Sequence, residues 1–237
     1  MSCATKRLLL CVLLVAVIAA PAFAMPPAES GGAVRDVRDF DKVEIGIQGE
    51  VILTQGATES LEILASTADL ARISTVVSMG TLRISAVGPD EFPRGPITYK
   101  LTMKRIAALT TSSSGRFSAE RIDSDALAIS IHSSGSVTVR TLSARTLAVE
   151  ISSSGSVTVA GTVDRQTLKS SSSGEYRAED LASREAMVTL SSSGRATIRV
   201  SEQLTARLSS SGDVRYHGSP TKVVADASSS GRLVKLD

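Results

Sequence analysis

Serine, histidine and the carboxylates are the side chains here that could do chemistry, and serine is the one set out in a pattern. Serine-serine-glycine recurs with its glycine at Gly115, Gly135, Gly155, Gly174, Gly194, Gly212 and Gly231. A serine nucleophile needs a base within hydrogen-bond reach and a third group to orient that base. Stretches such as "SSSGS" do not match the Gly-x-Ser-x-Gly elbow, and no strand-to-helix pattern follows them. The chain has two histidines, His132 and His217. They stand at different phases of the repeat, three before Gly135 and five after Gly212, so they read as surface residues on a corner or a connection. Two unaligned histidines also make a zinc site improbable. The calcium-binding pattern Gly-Gly-x-Gly-x-Asp is absent, and no metal or cofactor is expected.

Carboxylates are the other route to catalysis. A polysaccharide lyase or hydrolase on a β-helix scaffold needs acids gathered from neighbouring coils. Eight residues past successive glycines stand Asp123, Ser143, Val163, Ala182 and Glu202, so no two adjacent repeats offer acids there. Glu179-Asp180 and Asp123/Asp125 read as solvated turn residues. Sugar platforms also favour exposed aromatics, whereas aromatics are 3% of the chain and tryptophan is absent. Phe117, Tyr176 and Tyr216 fall on inward phases and are expected in the core. A carbohydrate-active enzyme therefore stands as the alternative, to be recognised by a concave acidic cleft.

The elements that carry these side chains follow from the spacing. Successive glycines are 20, 20, 19, 20, 18 and 19 residues apart. A fixed period of this length marks a repeat architecture, which a flexible Gly/Ser linker would not keep. Two residues after the glycines come Phe117, Val137, Val157, Tyr176, Ala196, Val214 and Leu233. Six before them come Leu109, Ile129, Val149, Leu168, Val188, Ala206 and Ala225. Each repeat thus reads as strand, serine-rich corner, strand, then a variable connection. Two folds fit: a β-solenoid with one coil per repeat, or an antiparallel meander. Identical corners favour the solenoid, where equivalent corners lie one strand spacing apart, about 4.8 Å. Hydroxyls can then bond up the stack, and glycine is expected to supply the backbone angles of the corner. Seven coils would make a rod of roughly 30 Å.

If strand alternation continues into the corner, the residues three and one before each glycine point outward. These are Ser112 and Ser114, His132 and Ser134, Ser152 and Ser154, Ser171 and Ser173, Ser191 and Ser193, Ser209 and Ser211, and Ser228 and Ser230. Serines in corners commonly satisfy turn backbone. As a binding face, the set Ser134, Ser152, Ser154, Ser171, Ser173, Ser191 and Ser193 would form a flat ladder of hydroxyls. Its expected partner is a glycan or another cell-envelope component.

Before the repeats, residues 34–108 hold alternating segments such as "FDKVEIGIQGEVILTQG", "SLEILAS", "GTLRISAVG" and "ITYKLTMKR". They read as half-buried strands, with "TADLARIST" as one helical turn or two. With the serine-glycine corners that follow, these segments resemble the auto-transporter adhesin head (GIN) domain family of secreted bacterial proteins. The resemblance runs from about Val34 to Arg232 and rests on the order of short motifs. The chain departs from the family's pattern in lacking asparagine altogether, where glycine-asparagine corners are expected. The family implies an extracytoplasmic β-helix-like fold and supplies no catalytic residues to carry over.

The first residues read as a leader. Lys6 and Arg7 precede the apolar run Leu8–Ala20, and Ala22-Phe23-Ala24 is a small-x-small cleavage site, the pattern of a secretory signal peptide over residues 1–24. Residues 25–33 read as a flexible tether. Cleavage removes Cys3 and Cys11, so the exported chain would have no disulfide. It also removes two of the 26 basic residues, leaving 24 against 24 acidic ones. A neutral chain with no basic cluster carries no footprint for nucleic acid, and no membrane span is expected in the mature chain. The expectation is an all-β, non-enzymatic module of the periplasm or cell surface, a monomer or weak homodimer. Lys235, read as inward-facing, is expected to guard the edge of the last coil.

Overall fold

The computed structural model describes residues 30–236. The expected signal peptide lies outside these residues. So does the first part of the expected tether, but its last residues do not. β1 (Ser30–Arg35) begins within that segment and runs antiparallel to β4 (Ser60–Ser66). Among the described strands β1 is an edge, paired with β4 alone.

The repeats are coils of a parallel solenoid of about six turns. Five long strands each make nearly a whole coil: β9 (Arg116–Ile131), β10 (Ser136–Ile151), β11 (Ser156–Ser170), β12 (Glu175–Leu190) and β13 (Arg195–Leu208). Neighbours pair in parallel with equivalent residues side by side. Phe117, Val137, Val157, Tyr176 and Ala196 form one column, and Ile129, Val149, Leu168, Val188 and Ala206 another. Both columns are buried. The expected variable connection is itself strand. Its alternation breaks twice, in β9 at Glu120-Arg121 and Asp125-Ala126, where two successive residues face solvent. With the serine corner, these breaks give each coil three turning points. A further inward column starts just past the second break: Leu127, Leu147, Gln166, Ala186 and Leu204.

The stack begins before the first serine. β2 (Lys42–Ile45) and β3 (Glu50–Gln55) flank a serine-free corner at Gly49. The Arg116 N–H donates to Gly49 O at 2.9 Å, as Ser136 N–H does to Gly115 O at 3.1 Å. β3 stacks on the first part of β9. β8 (Ala108–Thr111) stacks on the last part of β9, and β2 on β8. Above them the pairing turns antiparallel. β7 (Thr98–Met103) still lies parallel on β3, and β4 runs antiparallel to β7; β6 (Thr81–Ala86) likewise lies parallel on β2, and β5 (Ile73–Ser78) runs antiparallel to β6. One turn of helix, α1 (Thr67–Leu70), joins β4 to β5. The Asp69 carboxylate accepts from Ser66 Oγ (2.8 Å), Arg94 N–H (2.9 Å) and Gly95 N–H (3.2 Å), pinning the loop before β7. Those donors, the Arg94 N–H first, hold its carboxyl below the ordinary 3.8.

At the other end, β14 (Asp213–His217) and β15 (Lys222–Ala227) stack on the two parts of β13, and β16 (Arg232–Lys235) stacks on β14. Lys235 is exposed rather than inward, since no described strand lies over β16, and its Nζ reaches Ser219 Oγ at 3.2 Å.

Candidate functional site: the serine corners

All seven corners present the expected residues to solvent. The residues three and one before each glycine are exposed from Ser112 and Ser114 through Ser228 and Ser230. The middle serine is half-buried in the first five corners. In the last two it is exposed and adopts a left-handed backbone, with φ 64° at Ser210 and 61° at Ser229.

The two outward columns are not equivalent. The first bonds up the stack, chiefly to backbone. The Ser152 N–H and Oγ both donate to Ile131 O of the coil before, at 2.9 and 3.4 Å. Ser191 does the same to Ser170 O, at 2.9 and 3.3 Å, and Ser228 to Leu208 O, at 2.8 and 3.4 Å. A hydroxyl so placed serves the corner. The hydroxyls of the second column, Ser114, Ser134, Ser154, Ser173 and Ser193, meet no protein partner among the described residues.

The glycines correct an expectation. None of the seven has a φ in the left-handed region, so corner angles are not why glycine stands there; among the described glycines, Gly49, Gly80, Gly161 and Gly218 do occupy it. The cause is space. Each corner glycine is buried or half-buried with its missing Cβ directed at the preceding coil. A Cβ at Gly115 would lie 2.8 Å from Ile45 Cγ2, one at Gly135 2.5 Å from Thr111 Cγ2, and one at Gly212 2.9 Å from Leu190 Cβ. Coils can approach one strand spacing apart at this corner only if that hydrogen stays a hydrogen.

One contact between repeats brings a histidine to a serine. His132 Nδ1 lies 3.1 Å from Ser152 Oγ. Both stand three before their glycines, so the phase count predicts the meeting. The pair is exposed and no carboxylate orients the ring among the described residues, so it lacks the third member a triad needs. Several acids of the coils pair with arginines instead: Glu120 with Arg140 at 3.0 Å, Asp125 with Arg145 at 3.1 Å, Glu185 with Arg165 at 2.7 Å and Glu202 with Arg184 at 2.8 Å. The shallow depression over these coils is lined by Arg145, Asp164, Arg165, Arg184 and Glu185 together. It is a mixed-charge surface, unlike the acidic cleft a glycosidase would show.

Sequence reasoning missed a polar group inside the solenoid. Gln166 is 2% exposed in a column otherwise apolar. Tyr176 OH donates to its Oε1 at 2.9 Å, and its Nε2 donates to Ser183 Oγ at 2.8 Å and Arg199 O at 3.3 Å. Ser183 Oγ in turn donates to Arg199 O at 2.7 Å. The register of β12 on β13 slips between Ala178 and Ala182, and the network satisfies a carbonyl beside that bulge. Burial pushes the Tyr176 phenol well above its ordinary range. Phe117 and Tyr176, on inward phases of the repeat, are buried in the core as expected, whereas Tyr216 is only half-buried against it.

The sequence profile described as "Putative auto-transporter adhesin, head GIN domain" matches residues 39–220. No curated protein shows a significant match to the chain. Among solved structures, a putative adhesin of Bacteroides fragilis superposes with a TM-score of 0.81 at 22% identity, covering 89% of this chain and 99% of that one. A putative lipid binding protein of Parabacteroides distasonis gives 0.71 at 22% identity, with 89% and 98% covered. A putative adhesin of Parabacteroides merdae gives 0.69 at 16% identity, with the same coverage. At these identities the likeness is one of fold.

Proposed function

From a chain that belongs to the auto-transporter adhesin head (GIN) domain family, we infer a non-enzymatic, adhesin-like binding module of the bacterial envelope. It is exported to the periplasm or cell surface and meets its partner through the serine corners. The observation that carries this reading is the second outward column. Ser134, Ser154, Ser173 and Ser193 stand in adjacent coils about 4.8 Å apart, exposed and with hydroxyls not engaged by the protein. The first column, with Ser152, Ser171 and Ser191, flanks it and fixes the corner. Such a ladder fits a periodic polar target, a glycan chain or another envelope polymer, whose own hydroxyls repeat along its length. It supplies many weak, equivalent hydrogen bonds rather than one deep pocket. The leader pattern at residues 1–24 supports export, and no helix of the described residues is long and apolar enough to cross a membrane.

The test is a screen of the purified chain against glycans and cell-envelope fractions. It is repeated with Ser134, Ser154, Ser173 and Ser193 together replaced by alanine. The expected result is binding by the parent and at least about tenfold weaker binding by the variant, a loss of about 1.4 kcal/mol, with an unchanged melting temperature. Equal binding by parent and variant would remove the serine face from the account.

A further inference from the structure

β15 leaves one edge unpaired. It pairs with β13, from Gln203↔Lys222 to Leu208↔Ala227, and with no other strand among the described residues. It repeats positions that the coil beneath it buries. Leu204, Ala206 and Leu208 are 0%, 0% and 3% exposed, whereas Val223, above Leu204, is 43% exposed, and Ala225 and Ala227 are exposed too. The Ser228 N–H donates to Leu208 O at 2.8 Å. By alternation, the N–H and C=O groups of Val223, Ala225 and Ala227 are aimed at the free edge. The described residues therefore present a row of backbone donors and acceptors beside an unfinished apolar column.

The sequence of this strand, Lys-Val-Val-Ala-Asp-Ala, is complementary to itself when reversed. Set antiparallel about Val224, a second copy places its Asp226 opposite Lys222 and its Lys222 opposite Asp226. Val223 then faces Ala225 of the second copy, twice. These are edge-facing residues, so each such pair exchanges two N–H···O=C bonds, while Val224 meets Val224 in the wider gap between them. The apolar face continues across the seam, and the two ion pairs lie on the outer face. Sliding the copy to the next register of equal parity sets Asp226 or Lys222 opposite Val224 and separates the charges. Charge thus selects one register.

We propose that β15 is a self-association edge, through which two copies of this chain join their sheets about a two-fold axis at Val224. The contact is isologous, so it closes at two copies instead of propagating. β16 does not offer the same match. Reversed on itself in registers of equal parity, it would set Arg232 opposite Val234 or Lys235 opposite Leu233, with no ion pair.

The test is sedimentation velocity on the purified chain over a concentration series, with circular dichroism to confirm folding. The parent is expected to show a concentration-dependent monomer–dimer equilibrium. Lys222→Asp and Asp226→Lys each set like charges opposite each other twice, and each should weaken the dimer about tenfold or more. Lys222→Asp leaves Arg207, the neighbour of Asp226 on β13, undisturbed, so it serves should Asp226→Lys impair folding. The double variant Lys222→Asp/Asp226→Lys restores both pairs and should dimerise like the parent. A parent that stays monomeric throughout, single variants that dimerise like it, or a double variant that fails to recover would each overturn the proposal.

Discussion

Gly155 shows what a single hydrogen does in this fold. A Cβ there would meet Ile131 Cγ2 well inside van der Waals contact, with Gly135 O at 3.0 Å and Ser133 O at 3.1 Å. Two of these three neighbours are backbone atoms held by the ladder, so little can give way. Replacing Gly155 by alanine should therefore destabilise the protein by about 1–3 kcal/mol, the usual cost of overpacking a filled core. Gly88, where a Cβ would find Glu91 at 3.6 Å, is the control and should tolerate alanine. Comparing the melting temperatures of the two variants checks the account. If Gly155→Ala melts with the parent, the coils are not packed as closely as described. Glycine was legible in the sequence as a corner marker, but its reason was not. An unusual backbone angle and a missing Cβ write the same letter, and only the position of the preceding coil separates them.

At the scale of the element, period and phase carried most of the information. Seven glycines near 19-residue spacing located the corners, and counting from them placed Phe117, Val137 and Ile129 inside. Three elements escaped. The serine-free corner at Gly49 carries Gly46, Ile47 and Gln48 where the others carry serines, His132 apart, so it keeps the stacking hydrogen bond of the repeat without its letters. The connection expected between strands is strand as well, because its alternation is broken at two turning points and no longer reads as period two. The inward column just past the second turning point went unread for the same reason, and with it Gln166. That residue accepts from Tyr176 and donates to Ser183 and Arg199 O, so replacing it by leucine leaves a buried phenol without its acceptor. Gln166→Leu should cost about 1–3 kcal/mol despite the gain in apolar character, as read by chemical denaturation. A variant as stable as the parent would show that the network contributes nothing net.

At the scale of the molecule, the chain is a stack whose faces serve different ends. Antiparallel strands cover one end, and β15 and β16 present edges at the other. Arginine–carboxylate pairs link exposed positions of successive coils, and the serine corners run along the stack as a column. That column is the premise of the binding face, and its spacing is measurable. If the exported form is cleaved after Ala24 it has no cysteine, so spin labels can be placed at Ser114→Cys and Ser211→Cys without background. The two corners are five coils apart, which sets the labelled positions about 24 Å from one another at one strand spacing per coil. A single narrow distance near that value in a pulsed dipolar experiment is the predicted result. A distribution centred near 48 Å, two strands per repeat, or one too broad to define a distance, would contradict the stacked column.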